Sequence, residues 1–533
     1  MNIDYDALVD TTSIEDITSC DYQRELLYEI KNNDHNCTFI SLSDNGDIYD
    51  YLPENLRDLG WLGYFIGKNT SLRGLSIDAI DLLNSPGAIE IFCTGVNQNR
   101  FIEKITFFCL GEAEMRGVLQ SMNTFFKCNH LTDIDLIACG MDAEACRQFC
   151  LSVGGRKSIK SLKQVNIEDC EIEDRSMVDI ILSLSSHSQL KVLYLQSNVG
   201  FGRNSCIALE SLVHWTTTNL QNLNLSYNQI GDESMKMIAR GLSNSKALRT
   251  LQLSGNDFGD NGVEALVAVL KSSTKLEKLY ISQNHSITIK GYKAIAILLG
   301  IPTLKELYAA NDNTGDEVAE IFANALVNNR TLKKLYIFTY YSSLISAAGW
   351  EAFTRLLCDT SSVNNTFTSN HSLLYLAGPL ALQPGTRALL ELNKNANKEH
   401  VAMIKILENH TEFDIQPLLK WDLKVLPDLI GWFERGSALN ALYVHLDVNI
   451  GKLELATLFD YIRAMPMLAI DGLTRFELNN IRSEEAILMR NTDAFETLAS
   501  QVQALELRRI HAMKRLLHPH SSSLGRLNFV ECE

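Results

Sequence analysis

The stretch Leu220-Gln-Asn-Leu-Asn-Leu-Ser-Tyr-Asn228 recurs twice at a constant spacing, at Leu248–Asn256 and at Leu276–Asn284. Leucine or isoleucine occupies the first, fourth and sixth places of each copy, and asparagine occupies the ninth. Related copies begin at Leu131, Leu162, Leu190, Leu304 and Leu332, and weaker ones begin at Cys37, Leu72, Ile102 and near Val363. Self-similarity at a fixed period is typical of repeat architectures, so we predict about twelve stacked units over residues 37–372.

A second set of apolar residues follows the same period and predicts one helix in every unit. Its members recur once per unit: Leu242, Leu270, Leu298 and Leu326. One helical turn before each of these stands another apolar residue, so each pair shares one face of a helix: Ile238, Leu266, Ala294 and Phe322. The pairs Gly231-Asp232, Gly259-Asp260 and Gly315-Asp316 precede these helices. We expect the glycine to permit the turn and the aspartate to accept from amides in the first turn of its own helix.

These motifs resemble the leucine-rich repeat, and a unit of about 28 to 31 residues with a full helix resembles its ribonuclease-inhibitor-like subclass. The stretch Asp58–Asn69 is similar to ribonuclease-inhibitor-like families expanded in single-celled algae. The resemblance implies an α/β fold, a leucine-rich-repeat solenoid in which a right-handed β-α superhelix forms a horseshoe. It also implies a parallel sheet on the concave face, and an asparagine that bonds the backbone of neighbouring turns. Cysteine is an accepted substitute for that asparagine, and Cys139 and Cys170 occupy its position.

The rest of the chain departs from the repeat and predicts further segments. Residues 1–36 are polar and are expected to form an N-terminal cap over the first unit. Glycine and proline punctuate residues 373–385, which we interpret as a linker. Apolar residues at helical spacing then predict a helical C-terminal segment over 386–519, followed by a tail over 520–533.

Composition limits the classes of function. Hydrophobic residues at 46% and charged residues at 21% indicate a folded globular chain. The net charge of −16 disfavours nucleic acid and anionic membranes as partners. The twelve cysteines form no CxxC pair, and the acidic start lacks a secretory signal, which together favour a reducing, cytoplasmic location. We predict no cofactor and no metal.

The candidate motifs for phosphate binding, metal binding and catalysis do not match the patterns that these sites require. The stretch Gly63–Lys68 has too few residues between its glycines for a phosphate-binding loop, and its apolar residues suit a buried helix. Cys146 and Cys150 lie one helical turn apart but lack further ligands at zinc-site spacing. Residues 386–519 contain no cysteine, and Cys532 lies beyond them in the predicted tail. Leucine-rich-repeat ubiquitin ligases need a catalytic cysteine enclosed in their helical domain, so the sequence argues against that mechanism. We therefore predict a protein that is not an enzyme.

The residue between the fourth and sixth places of each unit points out of the concave sheet, because strand side chains alternate faces. Read along successive units, this position contains Tyr194, Asn224, Gln252, Tyr280, Tyr308 and Tyr336. Four lysines flank the tyrosines and complete the candidate site: Lys278, Lys305, Lys333 and Lys334. Such tyrosines can stabilise a sheet through contacts between strands, or they can form a binding hot spot.

We expect the second role, which makes the chain a non-enzymatic scaffold that binds a protein partner with an acidic surface on its concave face. Two other hypotheses remain open. One is GTPase activation or regulation, as in leucine-rich-repeat proteins of the Ran-activator type. The other is an enzyme whose site lies within residues 386–519.

Overall fold

The computed structural model describes residues 3–410, apart from 48, 128–130, 155–160, 199, 215–218, 244, 339–344 and 378–383. Most of the predicted helical segment and the whole predicted tail lie outside the described residues. The chain divides into two compact units. The first comprises Met1–Phe353 with Ser372–Leu390, and the second comprises Thr354–His371 with the chain from Glu391.

The first compact unit contains one parallel sheet, in which the described residues form thirteen strands. From β3 onward each strand lies beside the strand of the next repeat, while β1 lies between β2 and β3. The strands are β1 (Phe39–Leu42), β2 (Asp50–Tyr51), β3 (Gly74–Asp78), β4 (Lys104–Phe108), β5 (Asp133–Ile137), β6 (Gln164–Glu168), β7 (Val192–Tyr194), β8 (Asn222–Asn224), β9 (Thr250–Gln252), β10 (Lys278–Tyr280), β11 (Glu306–Asn311), β12 (Lys334–Phe338) and β13 (Tyr375–Ala377).

Helices alternate with the strands, as the second apolar register predicts. They are α1 (Tyr5–Leu8), α2 (Asp21–Lys31), α3 (Leu56–Lys68), α4 (Ala88–Val96), α5 (Glu112–Ser121), α6 (Ala143–Val153), α7 (Asp174–Leu184), α8 (Arg203–His214), α9 (Asp232–Leu242), α10 (Asp260–Leu270), α11 (Ile289–Ile297), α12 (Asp316–Leu326), α13 (Ala347–Leu357), α14 (Val363–Thr368), α15 (Pro384–Leu392) and α16 (Lys398–Asn409). The unclosed parallel sheet, in which, over the described residues, a single α-helix joins each strand to the next from β2 to β12, confirms the predicted α/β leucine-rich-repeat solenoid. Among the described residues, no helix combines the length and the apolar character that crossing a bilayer requires.

The last strand lies beyond the predicted end of the repeats. The weak copy expected near Val363 forms α14 instead of a strand, and β13 lies within residues 373–385, which we interpret from the sequence as a linker. Leu373 and Leu376 are buried and occupy the apolar places of this strand's unit. The parallel sheet therefore extends past residue 372.

The core contains the repeated leucines of both registers. On the strands, Leu251, Leu279 and Leu307 are completely buried. On the helical side, Leu242 and Leu270 are at most 4% exposed, and the equivalent residues of the next two units are completely buried. Each unit thus contributes one strand face and one helix face to a core that continues into the next unit.

Asparagine side chains connect neighbouring units, as the resemblance implies. The Nδ2 group of Asn256 donates to the Leu225 carbonyl of the preceding unit at 3.0 Å. Its Oδ1 atom accepts from the backbone N–H groups of Asn228 at 3.1 Å and Ile230 at 3.0 Å. Asn284 repeats this arrangement one unit later, with Nδ2 3.1 Å from the Leu253 carbonyl. Each side chain therefore satisfies buried backbone groups that lie outside the regular strand.

Cysteine replaces asparagine in two units, as predicted. The Cys170 thiol lies 3.2 Å from the Glu168 carbonyl and 3.6 Å from the Leu136 carbonyl of the preceding unit. One assignment from the sequence was wrong. The period alone assigns Asp312, the ninth residue of the unit that begins at Leu304, to the asparagine place, but the buried amide of this unit is Asn311, which donates to the Asn284 carbonyl at 2.9 Å. The register between β11 and β12 also shifts in this part of the unit, between Tyr308 and Asn311.

The aspartates at the helix starts bond a different helix from the one predicted. Asp232, the first residue of α9, has an Oδ1 atom 2.8 Å from the backbone nitrogens of Gly259 and Gly262 in the next unit. Asp260 contacts the backbone nitrogens of Thr288 and Gly291 in the same way, at 2.8 and 2.9 Å. The prediction that each aspartate bonds its own helix is therefore wrong. Helix side chains point back towards the N-terminus, which brings a carboxylate at the first position to the neighbouring helix start.

The glycine-rich helix α3 has a structural role. A Cβ atom at Gly63 would lie 2.5 Å from the Phe92 carbonyl oxygen, and one at Gly67 would lie still closer to the Gly95 carbonyl oxygen. These glycines therefore allow α3 and α4 to approach closely. Trp61 is 1% exposed, so the interpretation as a buried helix is confirmed.

The second compact unit contains a buried lysine that bonds several of its elements. Lys405 on α16 is completely buried. Its Nζ atom lies 2.7 Å from the Leu357 carbonyl, 2.8 Å from Asn393 Oδ1 and 3.0 Å from His371 Nδ1. His371 Nε2 lies 2.8 Å from the Phe367 carbonyl, so this nitrogen carries the proton and Nδ1 accepts from the lysine. Burial lowers the pKa of Lys405 to about 7.

Candidate functional site

The predicted site residues lie on the sheet face opposite the buried leucines, which we call the open face. On β10, Lys278 and Tyr280 are half-buried while Leu279 between them is completely buried. The same alternation holds on β12, where Lys334 and Tyr336 flank the buried Leu335. Strand geometry therefore places these lysines and tyrosines on one surface.

Four tyrosine rings on the open face form a continuous stack, which we call the tyrosine stack: Tyr280, Tyr308, Tyr336 and Tyr375. The first two ring centroids are 4.3 Å apart with an interplanar angle of 16°. The Tyr308–Tyr336 pair has a centroid distance of 4.0 Å and an angle of 13°, and the Tyr336–Tyr375 pair has 4.8 Å and 27°. Burial raises the pKa of Tyr308 above its usual value, so its hydroxyl stays protonated at neutral pH. The stack presents ring edges and neutral hydroxyl groups.

Ion pairs surround the stack. Glu306 is directly opposite Lys278 and Lys334 in the strand register. Its Oε1 atom lies 3.5 Å from Lys278 Nζ and 3.3 Å from Lys334 Nζ. One carboxylate therefore bridges two ammonium groups, which leaves an excess of positive charge in this row.

Lys305 and Lys333 stand one residue earlier, immediately before their strands. Lys305 Nζ lies 2.8 Å from Glu277 Oε2, and the same carboxylate contacts Arg249. Hydrogen bonds from Lys305 and Arg249 lower the pKa of Glu277. Burial lowers the pKa of Lys333. Together, the two rows contain five cationic side chains and two carboxylates, which gives a local net charge of three positive units. The cations are Lys278, Lys305, Lys333, Lys334 and Arg249, and the carboxylates are Glu277 and Glu306.

The remaining predicted residues contribute less to this surface. Asn224 is 8% exposed, and its Oδ1 atom accepts from the Ser226 backbone at 3.0 Å. Tyr194 and Gln252 are half-buried on the open face, and burial raises the pKa of Tyr194. The structure thus brings together the tyrosines and lysines of β10–β12, while Tyr194, Asn224 and Gln252 lie on β7–β9.

Sequence reasoning missed Tyr375. The unit that contains it begins at Leu373, well past the position that one further period after Leu332 would reach. Tyr375 is aligned with Lys334 in the register, yet its ring stacks on Tyr336. The spacing of Leu373 and Leu376 around it was the available signal.

A cavity of about 450 Å³ opens where β5 and β6 lead into their helices. Carboxylates dominate its wall: Glu112, Asp142, Asp169, Glu171 and Glu173. Arg116 forms an ion pair with Asp142. Within the described ranges, no group of three or more histidine, cysteine, aspartate or glutamate side chains could hold a metal ion.

Burial opposes thiolate chemistry at the cysteines near this cavity. It raises the pKa of Cys139 to about 11 and that of Cys146 to about 12. The Cys146 thiol lies 3.3 Å from the Met141 carbonyl. A thiol that stays protonated at neutral pH is a poor nucleophile, so these residues are packing groups.

Comparison with known proteins identifies the repeat. The family model described as the leucine-rich repeat matches residues 217–239 and 244–267. No curated protein gave a significant match. The chain thus contains leucine-rich repeats, while its relation to the ribonuclease-inhibitor-like subclass and the algal families stays a prediction.

Three solved structures are similar to this chain at low identity. A chain of the yeast Rad7 and Elc1 complex is 12% identical, with a TM-score of 0.36, and the match covers 64% of this chain and 87% of that one. An internalin from Listeria monocytogenes is 12% identical, with a TM-score of 0.33 and coverage of 68% and 90%. A Bacteroides fragilis protein is 15% identical, with a TM-score of 0.30 and coverage of 45% and 65%.

Proposed function

We propose that this protein is a non-enzymatic interaction scaffold that binds a protein partner on its open face, the face that the resemblance to the leucine-rich repeat implies to be concave. The tyrosine stack is the observation that carries the proposal. Tyrosine is enriched among residues that dominate binding energy, because a large ring with a polar tip gains contact area at a small entropic cost. Here four such rings are held side by side with cationic groups around them.

Rigidity supports the same conclusion. Tyr308 lies between two other rings, and its hydroxyl group is 3.4 Å from Glu306 Oε2. Glu306 in turn contacts Lys278 and Lys334. A surface that is already ordered loses little conformational entropy when a partner binds. The excess of positive charge favours a partner with an acidic surface at this point.

A photocross-linking experiment tests the proposal. Benzoylphenylalanine replaces Tyr375, which is 41% exposed, or Tyr28 on α2, which is 42% exposed and serves as the matched control. After irradiation in an extract of the native cells, we expect Tyr375 variants to capture a defined protein that the Tyr28 variant does not capture.

The capture must also depend on the stack. Changing Tyr308 and Tyr336 to alanine should abolish cross-linking at position 375, because these residues form the adjoining surface. Equal capture at positions 375 and 28, or capture that survives the two alanines, would show that the stack has only a structural role.

A further inference from the structure

The charge of the open face is distributed unevenly along the sheet. On β3–β6, the open-face positions carry four carboxylates: Asp78, Asp133, Asp135 and Glu168. Lys104 on β4 lies among them. On β10–β12 the equivalent positions carry Lys278 and Lys334 with Glu306 between them. The face is therefore acidic at one end and basic at the other.

Pairing within the acidic end leaves negative charge accessible. Lys104 Nζ lies 2.7 Å from Asp135 Oδ2, and that aspartate side chain is 6% exposed, so this pair is internally compensated. Asp133 and Glu168 are half-buried, and no cation of the described residues lies within ion-pair distance of either. These two carboxylates define the accessible acidic end.

The strands between the two ends are uncharged. The open-face positions of β7, β8 and β9 hold Val192, Tyr194, Asn222, Asn224, Thr250 and Gln252. Six strand spacings separate β5 from β11. At roughly 4.8 Å each, they place the two charged ends about 29 Å apart. This exceeds the screening length of about 8 Å at physiological salt, so a partner meets two independent electrostatic sites.

We propose that the partner is a protein that places an acidic segment against β10–β12 and a basic segment against β5–β6, so that charge fixes its direction along the sheet. This inference rests on the proposed function and specifies the partner's chemistry. The reverse orientation would set like charges against each other at both ends, which is costly in an interface.

Three fluorescent peptides and the full chain provide the test. One peptide is acidic, with glutamate alternating with glycine, and one is its lysine counterpart. The third joins both through a Gly-Ser linker of about 27 residues, whose r.m.s. span matches the separation of the two ends. Binding is measured by fluorescence anisotropy at several salt concentrations.

Charge-neutralising variants separate the two ends. Lys278→Gln with Lys334→Gln should weaken the acidic peptide at least tenfold and leave the basic peptide unchanged. Asp133→Asn with Glu168→Gln should weaken the basic peptide and leave the acidic peptide unchanged. Lys236→Gln with Lys293→Gln is the matched control, because both lysines are ion-paired as Lys278 and Lys334 are, but lie on helices. The joined peptide should bind at least tenfold tighter than either half, and a linker of about five residues should remove that gain.

Several outcomes would overturn the inference: no binding of either peptide at low salt, an equal response of both peptides to both variants, or no gain from joining them. Oligouridylate that binds as tightly as the acidic peptide, with the same loss in the lysine variants, would assign the basic end to a phosphate backbone instead. The partner captured at position 375 distinguishes the two proposals. If the variant with benzoylphenylalanine at position 375 still captures its partner after either pair of charge substitutions, the proposed direction of binding is wrong and the scaffold function stands. If that variant captures no partner when the rest of the open face is unchanged, the scaffold function itself is wrong.

Discussion

The rings of Tyr308 and Tyr336 lie 4.0 Å apart between centroids and only 13° from parallel. This distance is shorter than the spacing of about 4.8 Å between their strands, so the rings lean towards each other. Because Tyr280 and Tyr375 extend the contact on both sides, the stack contributes to the stability of the sheet as well as to its surface.

Tyr308→Ala should lower the free energy of unfolding by about 1 to 2 kcal/mol, since it removes two ring contacts and part of the buried apolar area. Tyr308→Phe keeps both stacked rings and should change stability by less than about 0.5 kcal/mol. Urea denaturation followed by circular dichroism measures both. Tyr28→Ala is the control. If it lowers the free energy of unfolding as much as Tyr308→Ala does, the stack has no special role in stability.

Asp232→Ala should lower the stability by about 1 to 2 kcal/mol, because it leaves two amide groups at the start of α10 without an acceptor. Glu233→Ala removes the neighbouring carboxylate, which is exposed and forms an ion pair with Lys236, and should have little effect. Denaturation midpoints of the two variants give the comparison. If both lose the same amount, the bond between units is not what stabilises this interface.

Asn256→Ala should be among the most damaging single changes in the solenoid, with a loss of about 3 kcal/mol, because buried backbone groups on two units lose their partners. Asn256→Cys should lose distinctly less, since Cys170 shows that a thiol can contact the same carbonyls. Asn324→Ala on the exposed side of α12 serves as the control. Identical losses for the alanine and cysteine variants would argue against thiol replacement in this position.

The stability of the second compact unit, which contains α16, should rise with pH above neutrality. Lys405 has a folded pKa of about 7, whereas a lysine in the unfolded chain titrates near its usual value of about 10.4. Between these values the unfolded state binds more protons, so the stabilising contribution is complete above the unfolded pKa and is lost as the pH falls through 7. Hydrogen exchange of the amides of α16, corrected for the intrinsic rate, measures this trend from pH 6 to 9.

Lys405→Met should flatten that dependence, and Lys394→Met, which changes an exposed residue paired with Glu391, should not. Cys358 lies near Lys405, and burial raises the pKa of its thiol to about 11, above the range measured. An unchanged slope in Lys405→Met would assign the pH dependence to another group.

Acid should loosen the contact between α12 and the next helix. Hydrogen bonds from the Ser346 hydroxyl and backbone lower the pKa of Asp316, so this contact stabilises the fold above the unfolded pKa and is lost as the pH falls through the lower folded value. Asp316→Asn should remove this part of the acid sensitivity in unfolding measured between pH 5 and 2. A midpoint that shifts with pH as in the unmodified protein would contradict it.

The sequence alone determined the units, their period and the alternation of strand and helix. Leu279 and Leu242 could be assigned to the core because each side chain is buried within its own unit or against the next equivalent unit, and a fixed period reports such positions directly. The same period located the asparagine positions, whereas their bonds to neighbouring turns and their replacement by Cys170 were implied by the resemblance to the leucine-rich repeat. The tyrosines of β10–β12 could be aligned because parallel strands in register place equivalent residues side by side.

Only the tertiary structure decided which groups meet across units when the period is broken or the side chain is long. Asp232 bonds the next helix, Asn311 replaces Asp312, and Tyr375 joins the stack from a unit of different length. The charges of Lys278 and Lys334 are partly compensated by Glu306, which lies one full repeat away from either lysine along the chain. These relationships depend on the superposition of successive turns in space. The sequence specifies the content of each turn, but the stacking of the turns sets the distances between them.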